Sequence, residues 1–84
     1  MKKVLRFTAS WCAPCKALAP LVEEVKGDVP VDVIDIDEAD NTALATKYGI
    51  RSVPTLVMLD GDKVVKTRVG MTSKDKLNEW FHNE

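Results

Sequence analysis

The chain is poor in metal-ligating residues, and its charges do not favour one sign. Its 84 residues include two cysteines and one histidine, and 12 Lys and Arg balance 13 Asp and Glu to a formal charge of −1. A structural zinc site usually takes four ligands, and beyond the cysteine pair the chain offers only His82 and scattered carboxylates. The sequence has no basic stripe of the kind that binds nucleic acid, and no acidic tail of the kind that binds a cationic partner. We therefore expect no metal ion, no cofactor and no nucleic-acid partner.

Long apolar runs are also missing. The start of the chain, Met1-Lys2-Lys3-Val4-Leu5, is broken by Arg6 and followed by no small-residue cleavage site, so it does not indicate a secretory signal. No stretch approaches the roughly 20 apolar residues of a membrane-spanning helix. We therefore expect a cytoplasmic protein with no membrane partner. In that reducing compartment, a pair of nearby cysteines is more often catalytic or metal-binding than structural.

The hydrophobic pattern predicts one small α/β domain. A composition of 45% apolar and 30% charged residues is ordinary for a single folded unit, which we expect to span residues 1–84 as a monomer. β-type residues predict strands at 3–8, 31–37, 55–59 and 64–69, and apolar spacing predicts helices at 13–26, at 43–48 and after residue 72. The order β-α-β-α-β-β-α implies a four-stranded mixed sheet flanked by three helices.

Several local expectations follow from this pattern. The dense Val and Ile of 31–37 are typical of a largely buried parallel strand. Asp37 or Asp40 can cap the second helix, and a capping box of Thr72 and Asp75 can open the last one. His82 is expected to be a solvated residue at the end of that helix, where a basic side chain suits the helix dipole.

Both cysteines lie in one short segment, Trp11-Cys12-Ala13-Pro14-Cys15-Lys16, between the first predicted strand and helix. A thiol in the first turn of a helix is close to unpaired N–H groups and the positive end of the dipole, which favour the thiolate and lower the thiol pKa. Cys15 lies one turn further on the same side and can attack a mixed disulfide at Cys12. The segment predicts a redox-active dithiol. A structural disulfide, half of a zinc site and an inert pair of buried thiols remain alternatives.

The order and spacing of the motifs resemble the thioredoxin family over nearly the whole chain. The cysteine segment is similar to the family's WCGPCK, with Ala13 in place of glycine. Further matches, in chain order, are Ala19-Pro20, Asp35-Ile36-Asp37, the segment 47–56 (similar to YGIRSxPT) and Val69-Gly70. The implied fold is a minimal thioredoxin-like domain, and the implied activity is that of a thiol–disulfide oxidoreductase reducing protein disulfides.

The resemblance also implies a substrate-binding surface and partners. Besides catalytic Cys12 and Cys15, it implies a flat apolar docking surface made of Trp11, Ala13, Pro14, Val53, Pro54 and Gly70. In the family the proline is cis, and the backbone just before it pairs with the incoming peptide like an added strand. The implied partners are disulfide-containing proteins and an electron donor such as a thioredoxin reductase or glutathione.

Three positions depart from the family pattern. Arg6 stands where the family usually has a buried Asp that helps to move the proton of the resolving thiol, Thr8 where it typically has Trp, and Val33 where it often has Lys. A buried, unpaired guanidinium is costly, so we expect Arg6 to reach solvent or to pair with a carboxylate. The proton of Cys15 must then go to water or to another carboxylate.

Two alternative functions remain at the level of sequence. One is a glutaredoxin-like enzyme that uses glutathione, although Trp11 before the first cysteine and Ala13-Pro14 inside the motif favour the thioredoxin type. The other is a binding module with this fold, in which the cysteines are dispensable.

Overall fold

A four-stranded sheet organises the fold, in a computed structural model that describes residues 1–83. β1 (Lys2–Thr8) pairs in parallel with β2 (Val31–Asp35) and antiparallel with β3 (Thr55–Asp60). β3 pairs antiparallel with β4 (Lys63–Val69) across the predicted hairpin, which gives the strand order β2-β1-β3-β4. The parallel pair follows from the helix that connects its two strands, and the hairpin from the two-residue turn Gly61-Asp62.

Helices cover both faces of the sheet. They are α1 (Ala13–Val25), a 3₁₀ turn (Ala39–Asn41) leading into α2 (Thr42–Lys47), and α3 (Lys74–His82). The predicted element order and the mixed sheet with three helices are thereby confirmed. No helix within residues 1–83 has both the length and the apolar character needed to cross a membrane.

The two faces of β1 contribute to two separate cores. Val4 packs with residues of α1, β3 and α3, whereas Leu5 and Phe7 pack with β3 and with α2 residues on the other face. This division follows from the alternation of side chains along a strand. β3 is buried along 55–59, because it lies between two strands and under helices on both faces. The sheet is therefore anchored at its centre, and the carboxyl end of β1 leads directly into the cysteine segment.

The prediction of a largely buried second strand is wrong. β2 ends at Asp35 and lies at the edge of the sheet, and Val33 is 55% exposed. An edge strand has one neighbouring strand, so less of its surface is covered than that of a central strand. Val and Ile content reports β propensity, whereas burial depends on the position of a strand in the sheet.

The residues predicted to cap the second and the last helix are not the ones found at the helix starts. The 3₁₀ turn begins after Glu38 and α2 after Asn41, neither with a side-chain cap, and Asp37 bonds elsewhere. α3 is capped by Ser73, whose hydroxyl accepts a hydrogen bond from the Lys76 N–H at 3.3 Å. The cap thus lies one residue after the expected Thr72.

Thr72 and His82 both form contacts with residues of other elements. The Thr72 hydroxyl is buried and accepts a hydrogen bond from the Arg68 guanidinium at 2.7 Å. His82, expected to be solvated, is exposed over much of its surface, but its Nε2 lies 2.6 Å from the carbonyl oxygen of Val25. Since a carbonyl oxygen only accepts, Nε2 is the donor, and the ring joins the end of α3 to the end of α1.

Candidate active site

Cys12 is the N-cap of α1 and is joined to Cys15 by a disulfide bond. The Cys12 backbone is extended (φ −93°, ψ 104°), and its Sγ lies 3.2 Å from the Cys15 nitrogen, which donates to it. Pro14 lies in the first turn, where its missing N–H costs no helical bond. The two Cα atoms are 5.3 Å apart, within the usual range for a disulfide. The start of α1 thus holds the Cys12 sulfur against one backbone donor, the Cys15 N–H.

Both cysteines are sheltered, but to different degrees. Cys12 is 4% exposed and Cys15 is 1% exposed, and they form a small cluster with buried Ala9. Ile36 and Val53 pack against this cluster from two other loops. An apolar surround excludes water and strengthens local electrostatic interactions.

The loop before β3 lies against Cys12. The carbonyl oxygen of Val53 is 3.7 Å from the Cys12 Sγ, and the Val53–Pro54 peptide bond is cis. Pro54 is buried, and its carbonyl oxygen accepts a 2.9 Å hydrogen bond from the Gly70 N–H. Gly70 has φ +88°, a backbone conformation that favours glycine. The tertiary structure therefore brings Val53 against Cys12 and joins Gly70 to the neighbouring Pro54.

Trp11 is 67% exposed beside the disulfide, and Ala13 and Pro14 are exposed next to it. Its indole Nε1 donates a 2.8 Å hydrogen bond to Oδ2 of Asp37, which lies in the loop after β2. The sequence predicted Asp37 as a possible helix cap and gave no sign of this contact. No local signal identifies it, because the partners are separated by 26 positions and meet only when β1 and β2 pair.

A cleft opens on the Cys15 side of the motif. Its walls come from the end of β1, the start of α1 and the end of β2: Arg6, Thr8, Ala9, Ser10, Cys15, Lys16, Ala19 and Asp35. The sequence singled out Cys15, Arg6 and Thr8 in this group, but it gave no sign that Asp35 shares their cleft. Within residues 1–83, no three His, Cys, Asp or Glu side chains are grouped to hold a metal ion.

Arg6 is half-buried in this cleft. Its Nε is buried and donates to no acceptor, and the guanidinium forms no ion pair within the described part of the chain. Burial lowers the pKa of the guanidinium, and the charge of Glu23 raises it. The ion pair offered as one expectation for Arg6 therefore does not form among residues 1–83, where Glu23 acts on it only through its charge.

A disulfide at the start of a helix, at the carboxyl end of a central strand, is the reactive centre of a thiol–disulfide oxidoreductase. The thioredoxin family model matches residues 1–83. The thioredoxin of Rickettsia bellii is 38% identical over 79 residues, covering 92% of this chain and 75% of that protein. The thioredoxin of Bacillus subtilis is 41% identical over 75 residues, covering 87% and 72%. The chain belongs to the thioredoxin family.

A solved structure agrees with this assignment. A mutant thioredoxin from Halobacterium salinarum NRC-1 superimposes with a TM-score of 0.86 at 40% identity, covering 95% of this chain and 71% of that one. Members of the family are protein disulfide oxidoreductases. The predictions of the family, of the fold and of an enzyme that uses a Cys-x-x-Cys pair are confirmed.

Proposed function

We propose that the protein reduces disulfides in other proteins, with Cys12 as the attacking thiol and Cys15 as the resolving thiol. The observation that carries this assignment is the position of the Cys12 sulfur at the helix cap, 3.2 Å from the Cys15 N–H. That donor and the helix dipole stabilise a thiolate at Cys12 and lower its pKa below that of a free thiol. Cys15 is 1% exposed and lies one turn further along α1, so its proposed role is to attack the mixed disulfide at Cys12 from within the protein.

The proposed docking surface surrounds this pair. Trp11, Ala13 and Pro14 offer exposed apolar area, and Gly70 leaves room for a close backbone approach. Within residues 1–83, the backbone N–H and C=O of Val53 form no backbone hydrogen bond, so both groups can pair with an extended peptide. Pro54 is buried, so its proposed part is to hold Val53 at the cysteines, while its own side chain makes no surface for the substrate.

The partners proposed for this cycle are disulfide-containing proteins and one electron donor, either a thioredoxin reductase or glutathione. The protein is proposed to act as a cytoplasmic monomer built from a single domain. The Trp11-Cys12-Ala13-Pro14-Cys15 motif supports a reductase over glutathione as the donor. Mixing the oxidised protein with each donor separately and measuring thiol release distinguishes the two.

Trapping tests the assignment of the two thiols. Cys15→Ser is expected to accumulate a mixed disulfide with a protein substrate, because nothing remains to displace the substrate from Cys12. Cys12→Ser is expected to be inactive and to trap nothing. In the reduced wild type, a limiting alkylating reagent should modify Cys12 first, as peptide mass spectrometry can measure. Trapping by Cys12→Ser, or equal alkylation of both thiols, contradicts the roles proposed here.

A further inference from the structure

The cleft that Cys15 lines is also lined by a half-buried cation, Arg6. We propose that Arg6 is a positioning residue for the resolving step, whose positive charge favours the thiolate of Cys15 and raises the reduction potential of the Cys12–Cys15 pair. This inference rests on the resolving role proposed for Cys15 above.

The backbone places Arg6 opposite the correct face of α1. Arg6 is two residues after Val4 on β1, so both side chains point to the face of the sheet that α1 covers. On α1, Cys15, Ala19 and Glu23 follow one another at intervals of four residues and share one face of the helix. Arg6 lines the cleft with the first two of these residues, and the charge of the third acts on it. Arg6 thus shares its cleft with Cys15, on the face of the sheet that α1 covers.

The charge of Arg6 is free to act on a neighbouring anion. Its Nε has no acceptor and its guanidinium no ion-pair partner within the described part of the chain. Although burial lowers its pKa, a guanidinium stays protonated at every pH at which the enzyme works. Half-burial reduces screening by solvent and salt, and a nearby opposite charge favours the ionised form of an acid such as a thiol.

Three other charged groups lie in or near the cleft, namely Lys16, Glu23 and Asp35. Lys16 and Glu23 on α1 are exposed, where water weakens their fields. Asp35, half-buried at the end of β2, carries a negative charge that opposes a thiolate, and its Oδ1 accepts the Asp37 N–H at 2.9 Å, so the electrostatic effect on Cys15 is a balance between Arg6 and Asp35. Of Arg6, Lys16, Glu23 and Asp35, Arg6 alone is both half-buried and positively charged.

The resolving step balances with water as the proton acceptor. The Cys15 thiol gives its proton to water in the open cleft, whose volume of about 260 Å³ holds several molecules. The thiolate attacks the Cys12 Sγ, the bond between the two protein sulfurs forms, and the bond from Cys12 to the substrate sulfur breaks. The substrate sulfur leaves with the electron pair and takes a proton from solvent. The dithiol is oxidised by two electrons and the substrate disulfide is reduced.

Arg6 distinguishes the two redox states because only one of them carries a negative charge at sulfur. The disulfide is neutral at both sulfurs, whereas the dithiol becomes anionic as it ionises. A cation in the cleft therefore stabilises the reduced form and makes the disulfide a stronger oxidant. The effect should grow as the pH rises through the ionisation of Cys15.

The test compares variants of the 84-residue chain in glutathione redox buffers over about pH 6–10, the range in which thiols ionise. In the alkaline half of that range, Arg6→Met is expected to lower the equilibrium constant for reduction by about tenfold, equivalent to about 30 mV. Arg6→Lys should stay close to the wild type. The matched control Lys63→Met removes the same charge at the opposite end of the sheet and should leave the constant unchanged. Arg6→Gln serves as the neutral variant if Arg6→Met does not fold.

Two results overturn the inference. One is a neutral Arg6 variant with the wild-type equilibrium constant at every pH, and the other is an equal shift in Lys63→Met, which would reduce the effect to net charge. Neither result bears on the proposed function. That assignment fails instead if Cys15→Ser traps no mixed disulfide while Arg6 is intact.

Discussion

The hydrogen bond between Trp11 and Asp37 offers a direct test of how the docking surface is held. Trp11→Phe keeps an aromatic ring but removes the donor, and Asp37→Ala removes the acceptor. If the bond orients the ring for substrate binding, each substitution should weaken the docking of a protein substrate. Asp40→Ala is the matched control, because Asp40 is an exposed carboxylate nearby that forms no hydrogen bond or ion pair within residues 1–83.

The magnitude follows from the geometry and the exposure. At 2.8 Å with a charged acceptor, this type of bond contributes about 1.5–3 kcal/mol when it is sheltered. Trp11 is 67% exposed, so competition from water reduces the value to about 0.5–1.5 kcal/mol, the range for ordinary hydrogen bonds. Since about 1.4 kcal/mol is a tenfold change, Asp37→Ala should lower kcat/KM by roughly two- to tenfold, mainly through KM.

The assay is a double-mutant cycle on the reduction of insulin disulfides. The double variant should lose no more activity than the more impaired single variant, which would give a coupling energy of about 0.5–1.5 kcal/mol. Trp11→Phe also removes contact area from the substrate surface, and the cycle separates that loss from the loss of the bond. Strictly additive effects, or an Asp37→Ala variant no weaker than Asp40→Ala, would refute the reasoning.

Two stability predictions follow from the packing. Leu77→Ala leaves a cavity at a fully buried position in the core shared by α1, α3 and the sheet. It should lower the free energy of unfolding, measured with guanidinium, by about 2–5 kcal/mol. The control Val64→Ala, at a 51% exposed site, should change this free energy by less than about 0.5 kcal/mol. Ser73→Ala removes the α3 cap and should cost about 0.5–2 kcal/mol in the same assay, and an unchanged unfolding midpoint would mean that the cap does not stabilise α3.

The sequence predicted most of the site because its central signals are local. The cysteines, Pro14 and the helix start are consecutive in the chain, so helix geometry alone places the Cys12 sulfur near the first free N–H groups. Residues 53, 54 and 70 lie far along the chain, and only the family resemblance indicated that they join the site. Their positions depend on the pairing of β1, β3 and β4, which local patterns do not specify.

Arg6 shows what the sequence predicted about a site residue and what depended on the tertiary structure. The sequence marked it as a departure from the family and required that its charge be solvated or paired. It did not indicate that the guanidinium would share a cleft with Cys15 and Asp35, because that arrangement needs β1, β2 and α1 to be packed together.

The sequence by itself determined the chemistry, the order of the elements and the two-sided packing of the sheet, since these depend on residue type and on hydrophobic spacing. The tertiary structure decided which strand lies at the edge, which side chains cap the helices, and which carboxylate holds Trp11. The physical reason is that burial, hydrogen-bond partners and local electric fields depend on distances between residues far apart in the chain, and these distances exist only after the strands have paired.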